Sequence, residues 1–399
     1  MQNNFKTTVI GLGYIGLPTA ALIASRRLQV TGVDISKKVV DTINQGKIHI
    51  VEPDLEGLVS YVVSNGYLKA QTEINASDVF VIAVPTPFNE DKTPDLTYVQ
   101  NAVENIIPVL EAGNTIIIES TSPVGTTEKM AQLMFEKRPD LKGEIHIAYC
   151  PERVLPGHII HELEHNDRVI GGVNEASGLK AKAFYQHFVK GDLFITNDRT
   201  AEMCKLVENA SRDSNIAFAN ELSIICDEAN IDVYELIRLA NRHPRVNILK
   251  PGPGVGGHCI AVDPWFIVSE FPKSARMIRL AREINDGKTE WVIDKVSERV
   301  ADFEKRHKRK PVVACLGLAF KPNIDDLRES PALHVVFELI KKGFNIKAVE
   351  PNIHEHGTIK LYSLESALAS ADIVVFLVAH NQFKDIQIMA NHLVFCDLS

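Results

Sequence analysis

The sequence predicts an α/β protein in which two doubly wound domains are joined by a helical middle domain with a long central helix. Three observations support this fold class. Short apolar, β-branched runs alternate with helical stretches over the first ~195 residues. A stretch of about thirty residues without proline or glycine follows Thr200, and the alternation of strands and helices returns after Lys310.

The first domain is expected to contain a parallel sheet that is covered by helices on both faces. Its predicted strands are nearly continuous apolar runs, as in sheets that are buried on both sides. Helical stretches separate them, as crossovers between parallel strands require. We predict strands at TTVIG (7–11), QVTGVD (29–34), VFVIAVP (79–85), TIIIES (115–120) and IHIAY (145–149).

The middle domain is predicted from helical periodicity. The stretch AEMCKLVENASRDSNIAFANELSIICDEAN has apolar residues every three or four positions, which is typical of one long helix, and further helix is expected to about Asn241. The charged stretch EKRHKRK (304–310) is predicted to be a solvated linker. A second α/β domain begins with PVVACLGLAF, so we predict domains at residues 1–198, 199–303 and 304–399.

Composition and charge exclude several classes of function. The net charge of −8 argues against a protein that binds nucleic acid or an anionic membrane in general. No apolar run approaches the ~20 residues of a membrane span, and the start MQNNFKTTVIGLG lacks the pattern of a signal peptide. Six cysteines lie far apart with no CxxC motif, so we expect reduced thiols and a cytoplasmic location.

A glycine motif near the amino terminus predicts a dinucleotide site of the Rossmann type. Gly11, Gly13 and Gly16 follow a predicted strand and open a helix, and Asp34 ends the next strand. Gly11 would permit a tight turn, Gly13 the approach of a pyrophosphate, and Gly16 close packing of helix on strand. A carboxylate at Asp34 can bind ribose hydroxyls and repels a 2′-phosphate, which favours NAD over NADP.

Two threonines follow predicted strands of the same sheet. Thr86 lies in VPTP and Thr121 in ESTSPVG. Ligands of open α/β sheets bind at the carboxyl ends of the strands, so both are candidate ligand contacts. Each could instead cap a helix.

Lys205 and Asn209 are candidate site residues on the long helix. They are four residues apart and therefore share one face. Lys205 lies among apolar residues, where a charge needs a partner. The alternative is a surface ion pair of Lys205 with Glu202 or Glu208.

The stretch PGPGVGGHC (251–259) places a cysteine after a glycine-rich loop and before an apolar run that contains Asp263. A metal site is disfavoured because there is no second ligand pair at a suitable spacing, so no metal is expected. Cys259 could be a buried structural thiol. It could also be a nucleophile, for which it needs a lowered pKa and an open approach.

Together these residues resemble the UDP-glucose/GDP-mannose dehydrogenase family over essentially the whole chain. Within the family the resemblance is greatest to the branch that acts on UDP-N-acetyl-D-mannosamine. The resemblance implies two Rossmann-like domains, a carboxyl-terminal domain that holds the uridine diphosphate, and a dimer. The matching stretches include IGLGYIGLPTA, IAVPTPF, ESTSPVG, IAYCPERVLPG, RTAEMCKL, LIRLANRHPRVNILKPGPGVGGHCIAVDPWFIV and GLAFKPNIDDLRESPA.

The resemblance implies an NAD-dependent four-electron oxidation of a sugar C6 alcohol to a carboxylate, in which Cys259 captures the aldehyde as a thiohemiacetal that becomes a thioester. Lys205 and Asn209 would hold the C6 oxygen, and Asp263 would organise a water or the lysine. Glu152 would act as acid and base in hydrolysis, with Thr121 positioning the water.

Further contacts follow from the same resemblance. Arg245 would reach the substrate across a dimer contact, and Lys321 and Arg328 would reach the active cleft from the carboxyl-terminal domain, Arg328 on the cofactor side. Tyr14 and Ile15 belong to the cofactor loop. The remaining residues expected to bind substrate are Arg153, Arg212, His243 and Gly256.

Two departures from the family pattern bear on function. Members that oxidise UDP-glucose usually carry a second glutamate four residues after the first, where this chain has Pro156, so hydrolysis would rest on Glu152 and an N-acetylhexosamine is favoured over glucose. Members also usually extend beyond the last strand, so a chain ending at Ser399 would be truncated or close less tightly over the nucleotide. His258 marks the N-acetyl-sugar branch, with no role assigned.

Three rival functions stay open from the sequence. One is oxidation of UDP-N-acetylglucosamine or UDP-glucose in place of the mannosamine epimer. Another is a two-electron dehydrogenase of the 3-hydroxyacid or phosphogluconate type, which would not need Cys259 and would yield one NADH. A third is a nucleotide-binding protein without catalysis, which would lack Lys205, Asn209 or Cys259; all three are present.

Overall fold

The computed structural model describes residues 5–89, 91–155, 157–257, 259–387, 389 and 391–398. The chain divides into two compact units, Met1–Glu208 and Asn209–Ser399. The predicted fold class is confirmed. Each unit contains a β-sheet whose strands alternate with helices, and long helices separate the two sheets along the chain.

The first unit is built on an eight-stranded sheet with the order β3-β2-β1-β4-β5-β6-β7-β8. Neighbouring strands are parallel except for β6 and β7, which are antiparallel. All five predicted strands are present. Each starts within one residue of its predicted start, and four of them end one to three residues earlier than predicted. The strands are β1 Lys6–Ile10, β2 Gln29–Val33, β3 Leu68–Gln71, β4 Val79–Ile82, β5 Thr115–Ile118, β6 His146–Tyr149, β7 Arg168–Gly172 and β8 Leu193–Asn197.

Helices cover both faces of this sheet, which explains why its strands are apolar throughout. Along β5, Ile117 packs into one core cluster, while Ile116 and Ile118 pack into the other. Alternating side chains of a strand point to opposite faces, so both faces are buried. The helices that precede the last strand are α1 Gly16–Ser25, α2 Lys37–Asn44, α3 Leu55–Ser64, α4 Thr97–Ile106, α5 Thr126–Lys137, α6 Ile159–His165 and α7 Glu175–Tyr185.

The second unit contains a four-stranded parallel sheet and long helices. The sheet has the order β10-β9-β11-β12. Its strands are β9 Val312–Leu316, β10 Asn345–Val349, β11 Ile373–Phe376 and β12 His392–Val394. The further helices of the chain are α8 Asp198–Ala229, α9 Val233–Ala240, α10 Asp263–Glu270, α11 Arg276–His307, α12 Pro331–Lys341 and α13 Leu364–Leu368.

The helical middle region begins close to its predicted position, but its last helix extends further than predicted. Helix α8 spans 32 residues and begins at Asp198, three residues before the predicted stretch, which starts at Ala201. The prediction of a linker at 304–310 is wrong in part, because α11 continues through His307 and ends at Lys308, whose φ of 55° is left-handed. Charge and exposure alone do not end a helix; the left-handed residue after the last turn does.

The two sheets use the same turn after their first strands, although their sequences show no repeat. Gly11, after β1, has a φ of 89° and its N–H donates to the Val33 carbonyl at 2.8 Å. Gly317, after β9, has a φ of 93° and donates to the Val349 carbonyl at 2.8 Å. In both cases only glycine adopts the positive φ without strain.

The carboxylates beyond these turns are used differently. Leu12 N–H donates to Asp34 at 3.0 Å, and Leu318 N–H donates to Glu350 at 2.7 Å. Glu350 is also bonded to Ala319 N–H, to Asn352 and to the buried His380, which uses the acceptor capacity of a carboxylate. The second sheet therefore has the same turn as the first, but its carboxylate, Glu350, is hydrogen-bonded to the protein itself.

Candidate active site

The loop between β1 and α1 has the geometry that the glycine motif predicts. A Cβ at Gly11 would lie 2.7 Å from the Ala83 carbonyl oxygen, and a Cβ at Gly16 would lie 1.8 Å from the Gly11 carbonyl oxygen. A Cβ at Gly13 would meet nothing within 4 Å. Gly11 and Gly16 are thus required by packing, whereas Gly13 faces open space that a pyrophosphate can enter.

The remaining residues of this loop fit the adenosine half of NAD. Ile15 is the residue before α1, and Tyr14 is 44% exposed beside it. The Asp34 carboxylate accepts N–H bonds from Leu12 at 3.0 Å and from Ser36 at 2.8 Å, which hold it at the end of β2. A held carboxylate beside a helix amino terminus suits a ribose diol and a pyrophosphate.

The two threonines lie at the carboxyl ends of β4 and β5. Thr86 is buried, and Thr121 is half-buried. The two strand ends are joined by the Ser120 hydroxyl, which donates to the Val84 carbonyl at 2.8 Å. The sheet therefore holds both segments at the edge where ligands bind in such folds.

Glu152, three residues after β6, is a buried carboxyl. It is 7% exposed, and its Oε1 has no hydrogen-bond partner among the residues that the structure describes. Burial raises the pKa of Glu152 to about 7, while the positive charges of Lys205 and Arg168 oppose the rise. A carboxyl that is half protonated near neutral pH can both accept and donate a proton.

Lys205 acts electrostatically on Glu152, and both of its alternative surface partners are engaged elsewhere. Glu202 is fully buried and accepts bonds from the N–H groups of Gly125 at 2.5 Å and Thr127 at 2.7 Å. Glu208 accepts a bond from Arg153 at 2.7 Å. Both carboxylates considered as surface partners of Lys205 thus accept hydrogen bonds from other groups, and a role of Lys205 in the site stays a prediction.

Asn209 and Asp263 are brought together in the second unit. Asn209 Nδ2 donates to Asp263 Oδ2 at 2.6 Å, and Asp263 is 4% exposed. Asp263 is the first residue of α10, and its N–H donates to the Cys259 carbonyl at 2.8 Å. Cys259 itself is exposed. One short segment therefore carries an accessible thiol and the carboxylate that orients the Asn209 amide.

The glycine loop before Cys259 is packed too closely for side chains. A Cβ at Gly254 would lie 2.5 Å from Thr289 Oγ1, and one at Gly256 would lie 2.5 Å from the Glu329 carbonyl oxygen. Gly257 has a φ of 82° and donates its N–H to the Arg328 carbonyl at 3.2 Å. These glycines are required for contact with α11 and with the segment before α12.

Hydrogen bonds hold the loop in place at its amino-terminal end. Gly252 N–H donates to Asn220 of α8 at 2.9 Å, and Thr289 of α11 donates to the Pro253 carbonyl at 2.9 Å. Asn220 in turn donates to Asn285 at 2.9 Å inside the helical core. The loop is thus a tethered support for the thiol, as a positioned nucleophile requires.

Other predicted contacts lie on the surface or in local ion pairs. Arg153 donates to Glu208 and to the Asp167 carbonyl. Arg328 donates to Asp326 at 2.6 Å. The exposed members of the predicted set are Arg212, His243, Arg245 and Lys321.

Three residues named in the sequence analysis lie outside the described residues: Pro156, His258 and Ser399. Within the described part of the chain, no group of three or more His, Cys, Asp or Glu side chains could hold a metal ion. In the same part of the chain, no helix has both the length and the apolar character that crossing a membrane demands.

Sequence reasoning missed a buried polar cluster beside Glu152. Its members are Glu119, Arg168 and Tyr185, and each is at most 3% exposed. The signal that could have found it is the charge of Glu119, which directly follows the three isoleucines of β5. A carboxylate at the end of a buried strand needs a partner, and the strand ends form the ligand edge.

Comparison with protein families matches the chain in three consecutive parts. Residues 5–189 match the NAD binding domain of the UDP-glucose/GDP-mannose dehydrogenase family, residues 199–287 its central domain, and residues 314–398 its UDP binding domain. The cofactor of the glycine loop is therefore NAD, and the chain is a nucleotide-sugar dehydrogenase.

Curated relatives and solved structures are similar over nearly the whole length. The UDP-N-acetyl-D-mannosamine dehydrogenase of Escherichia coli (strain K12) is 57% identical over 94% of this chain and 94% of its own. The NDP-N-acetyl-D-galactosaminuronic acid dehydrogenase of Ralstonia nicotianae is 54% identical over 96% and 92%. The structure of a UDP-D-ManNAc dehydrogenase from Pyrococcus horikoshii superposes with a TM-score of 0.88 at 39% identity, covering 99% and 96%.

Proposed function

The chain belongs to the UDP-glucose/GDP-mannose dehydrogenase family, and from that premise we propose that it oxidises UDP-N-acetyl-D-mannosamine at C6 to UDP-N-acetyl-D-mannosaminuronate. The observation that carries this proposal is the full-length similarity to relatives that bear the name of that activity. The hydrogen bond between the half-buried Asn209 and the buried Asp263, in the segment that carries an exposed thiol, supports it from the structure.

In the oxidation half of the proposed reaction, residues of α8 bind the C6 oxygen. The Lys205 ammonium stabilises negative charge as it develops on that oxygen, and the Asn209 amide, oriented by Asp263, donates a second hydrogen bond. Gly13 and Asp34 hold the cofactor. When bound there, NAD would supply the hydride acceptor for each of two successive oxidations, which together remove four electrons.

In the covalent half, the Cys259 thiol adds to the C6 aldehyde and keeps the intermediate on the protein between the two oxidations. The resulting thioester is hydrolysed by water. Glu152, with its raised pKa, accepts the proton of that water and returns it to the departing sulfur. Thr121, at the end of β5, is proposed to position the water.

The rest of the predicted substrate and cofactor contacts remain part of this proposal. Arg153, Arg212, His243 and Lys321 would contact the nucleotide sugar, and Arg245 would do so across a subunit contact. Gly256 would leave room for the sugar, and Arg328 would reach the cofactor side. Tyr14 and Thr86 would line the cofactor site.

A second candidate substrate is the N-acetylgalactosamine epimer. A relative named NDP-N-acetyl-D-galactosaminuronic acid dehydrogenase is nearly as similar as those named for the mannosamine sugar. UDP-N-acetylglucosamine and UDP-glucose complete the set of candidate substrates. The uronic acid product would be used in the synthesis of a surface polysaccharide.

We also propose the three-domain division at residues 1–198, 199–303 and 304–399, with the third domain binding the UDP sugar. The extents of the three matched family domains support it. A cytoplasmic location is supported by cysteines that are buried as free thiols, among them Cys150, Cys226 and Cys315.

A homodimer or higher homo-oligomer is proposed from the exposed apolar side chains of the helical region. Phe218 and Ile225 are seven residues apart on α8 and are 54% and 53% exposed. That spacing places them on one face, where a second copy would cover them. Sedimentation equilibrium tests this: a monomer at micromolar concentration contradicts it, and Phe218→Glu should dissociate the oligomer.

The function is tested by an assay of NADH yield with purified protein, NAD and a panel of UDP sugars. We expect two NADH per UDP-N-acetyl-D-mannosamine, with the uronic acid identified by mass spectrometry. The panel includes the glucosamine and galactosamine epimers and UDP-glucose. One NADH per sugar would point to a two-electron dehydrogenase, and greater activity on another epimer would reassign the substrate.

A further inference from the structure

Three buried side chains from separate elements of the first unit form a polar cluster, and two of them, Arg168 and Glu119, act electrostatically on the Glu152 carboxyl. Glu119 directly follows β5, Arg168 is the first residue of β7, and Tyr185 is the last residue of α7. The Tyr185 hydroxyl donates to Glu119 Oε1 at 2.6 Å. The Arg168 guanidinium lies 5.3 Å from the centre of the Tyr185 ring and donates to the Leu163 carbonyl at 3.2 Å. Three elements of the sheet layer thus converge on one buried polar cluster.

This cluster is incomplete as a purely structural network. Among the described residues, Glu119 Oε2, Glu152 Oε1 and Arg168 Nη1 have no hydrogen-bond partner, although all three atoms are buried. Buried polar atoms are nearly always hydrogen-bonded, because an unpaired atom loses its hydrogen bonds to water and no protein partner offsets that loss of free energy. The unused atoms of two carboxyls and one guanidinium in one buried cluster can therefore bind a water molecule or exchange a proton.

The charges that face Glu152 come from every element packed against it. Lys205 of α8 and Arg168 of β7 favour the carboxylate, as does the Arg153 backbone N–H, and Glu119 at the end of β5 favours the neutral acid. Around the cluster, the buried Cys150 thiol has its pKa raised to about 11 by burial, so it stays neutral. Burial has the largest effect and raises the pKa of Glu152, and the charges of Lys205, Arg168 and Glu119 adjust that rise.

We propose that Glu119, Arg168 and Tyr185 are positioning residues that hold the Glu152 carboxyl and balance its charge, so that it can accept and return one proton during hydrolysis of the acyl intermediate. Tyr185 keeps Glu119 in place, Glu119 supplies the second carboxyl of the site, and Arg168 prevents both carboxyls from becoming neutral. This inference rests on the proposed function, in which Glu152 is the acid and base.

The step balances without a further reactant. Water gives a proton to the Glu152 carboxylate while its oxygen forms a bond to the thioester carbon. The carbon–sulfur bond then breaks, and the departing thiolate takes the proton from the Glu152 acid. Glu152 must therefore be charged before attack and neutral before release. A carboxyl whose proton affinity lies near neutral pH meets both conditions.

The test measures how the rate of acyl breakdown depends on pH in single turnovers, with the sugar acid quantified by mass spectrometry of quenched samples. Burial raises the pKa of Glu119, and Arg168 and the Tyr185 hydroxyl oppose that rise. Glu119→Gln keeps the volume and the acceptor for Tyr185 but removes the negative charge of the ionised form, so the acid-side midpoint should fall by about one pH unit. Arg168→Gln should move the midpoint upward by a similar amount. Tyr185→Phe, which removes one hydroxyl, should lower it by less.

Opposite shifts distinguish charge balance from a loss of structure, which would lower the rate without moving the midpoint in two directions. Arg168→Lys keeps the charge and should restore the wild-type midpoint. The matched control is Thr8→Val, which removes a buried hydroxyl bonded to Ser77 at 2.7 Å on the same sheet and should leave the profile unchanged.

Unchanged midpoints in both Glu119→Gln and Tyr185→Phe would overturn the proposal, even if Arg168→Gln failed to fold. That result could occur while the wild-type protein still yields two NADH per sugar, and it would then leave the proposed function intact. A wild-type protein that forms no acyl intermediate would instead refute the proposed function and this inference with it.

Discussion

Asn209 Nδ2 donates to the buried Asp263 Oδ2 at 2.6 Å, although the two residues are 54 positions apart in the chain. A carboxylate only accepts hydrogen bonds, so the NH₂ group of the Asn209 amide must face Asp263. The bond therefore fixes the orientation of the amide. An orientated amide is suited to bind the C6 oxygen as charge develops.

The first prediction concerns this amide. Asn209→Ala should lower kcat by about 10²–10³-fold, the usual effect of removing one hydrogen bond to a developing oxyanion. The measurement is steady-state NADH formation with saturating sugar. Asn215→Ala is the control, since Asn215 is exposed on the same helix and donates only to the Ser211 carbonyl. Equal activity of the two variants would contradict a role for Asn209.

The second prediction concerns the thiol. Cys259→Ser should slow overall turnover by roughly 10³-fold or more, as expected for loss of an essential nucleophile, and any product should be the aldehyde. Mass spectrometry of the sugar products checks this. Cys204→Ser, a half-buried cysteine on α8, should remain active. A Cys259→Ser enzyme with full yield of uronic acid would rule out covalent catalysis.

The third prediction concerns the glycine loop. Gly256→Ala should destabilise the protein by about 1–3 kcal/mol, because its Cβ would lie 2.5 Å from a backbone carbonyl oxygen. Activity should fall as well, since the loop supports Cys259. Gly252→Ala is the matched control, as its Cβ would have 3.8 Å to the nearest atom. The measurement is the thermal unfolding of both variants, in which Gly256→Ala should have the lower melting temperature. Equal melting temperatures would refute the packing argument.

The fourth prediction concerns the cofactor. Asp34→Ala should raise the KM for NAD about 10–100-fold, the loss expected for hydrogen bonds to a charged group, and should reduce the preference for NAD over NADP. Initial rates with both cofactors provide the measurement. Asp41→Ala, on the exposed face of α2, should change neither value. An unchanged KM in the Asp34 variant would show that the ribose is bound elsewhere.

The fifth prediction concerns a buried lysine in the helical region. Lys288 donates to Ser223 at 2.8 Å and lies 3.5 Å from the centre of the Trp291 ring, which favours the ammonium. Burial outweighs this and lowers the pKa of Lys288 from 10.5 to about 7. Between those values the unfolded chain binds more protons, so stability rises with pH across that window.

The stability of Lys288→Met should therefore change less with pH than that of the wild type. The variant should be more stable than the wild type most clearly at pH 7 and below. Urea unfolding at several pH values measures both effects. Lys295→Met is the control. The pKa of Lys295 is raised by its hydrogen bond to Asp227, so its loss should give no such gain. A Lys288→Met profile parallel to that of the wild type would contradict the buried-amine account.

Much of the fold could be predicted because its signals are local. The apolar runs of β1, β4 and β5 and the periodicity of α8 depend on neighbours along the chain. Strands β3, β7 and β8 escape such a prediction, because β3 and β7 include the charged residues Lys69 and Arg168 and β8 is largely exposed. The end of α11 lies beyond its predicted position because a charged stretch can be either solvated helix or linker.

Local patterns predict most of the strands and helices, the cofactor loop with Gly11 and Asp34, and the candidates Lys205, Asn209 and Cys259, because turn chemistry and residue spacing are properties of short segments. The bond of Asn209 to Asp263, and the action of Arg168 and Glu119 on the buried Glu152, depend on tertiary contacts that the sequence does not reveal. Burial and electric field arise from residues distant in the chain, and they set the proton affinity of a carboxyl.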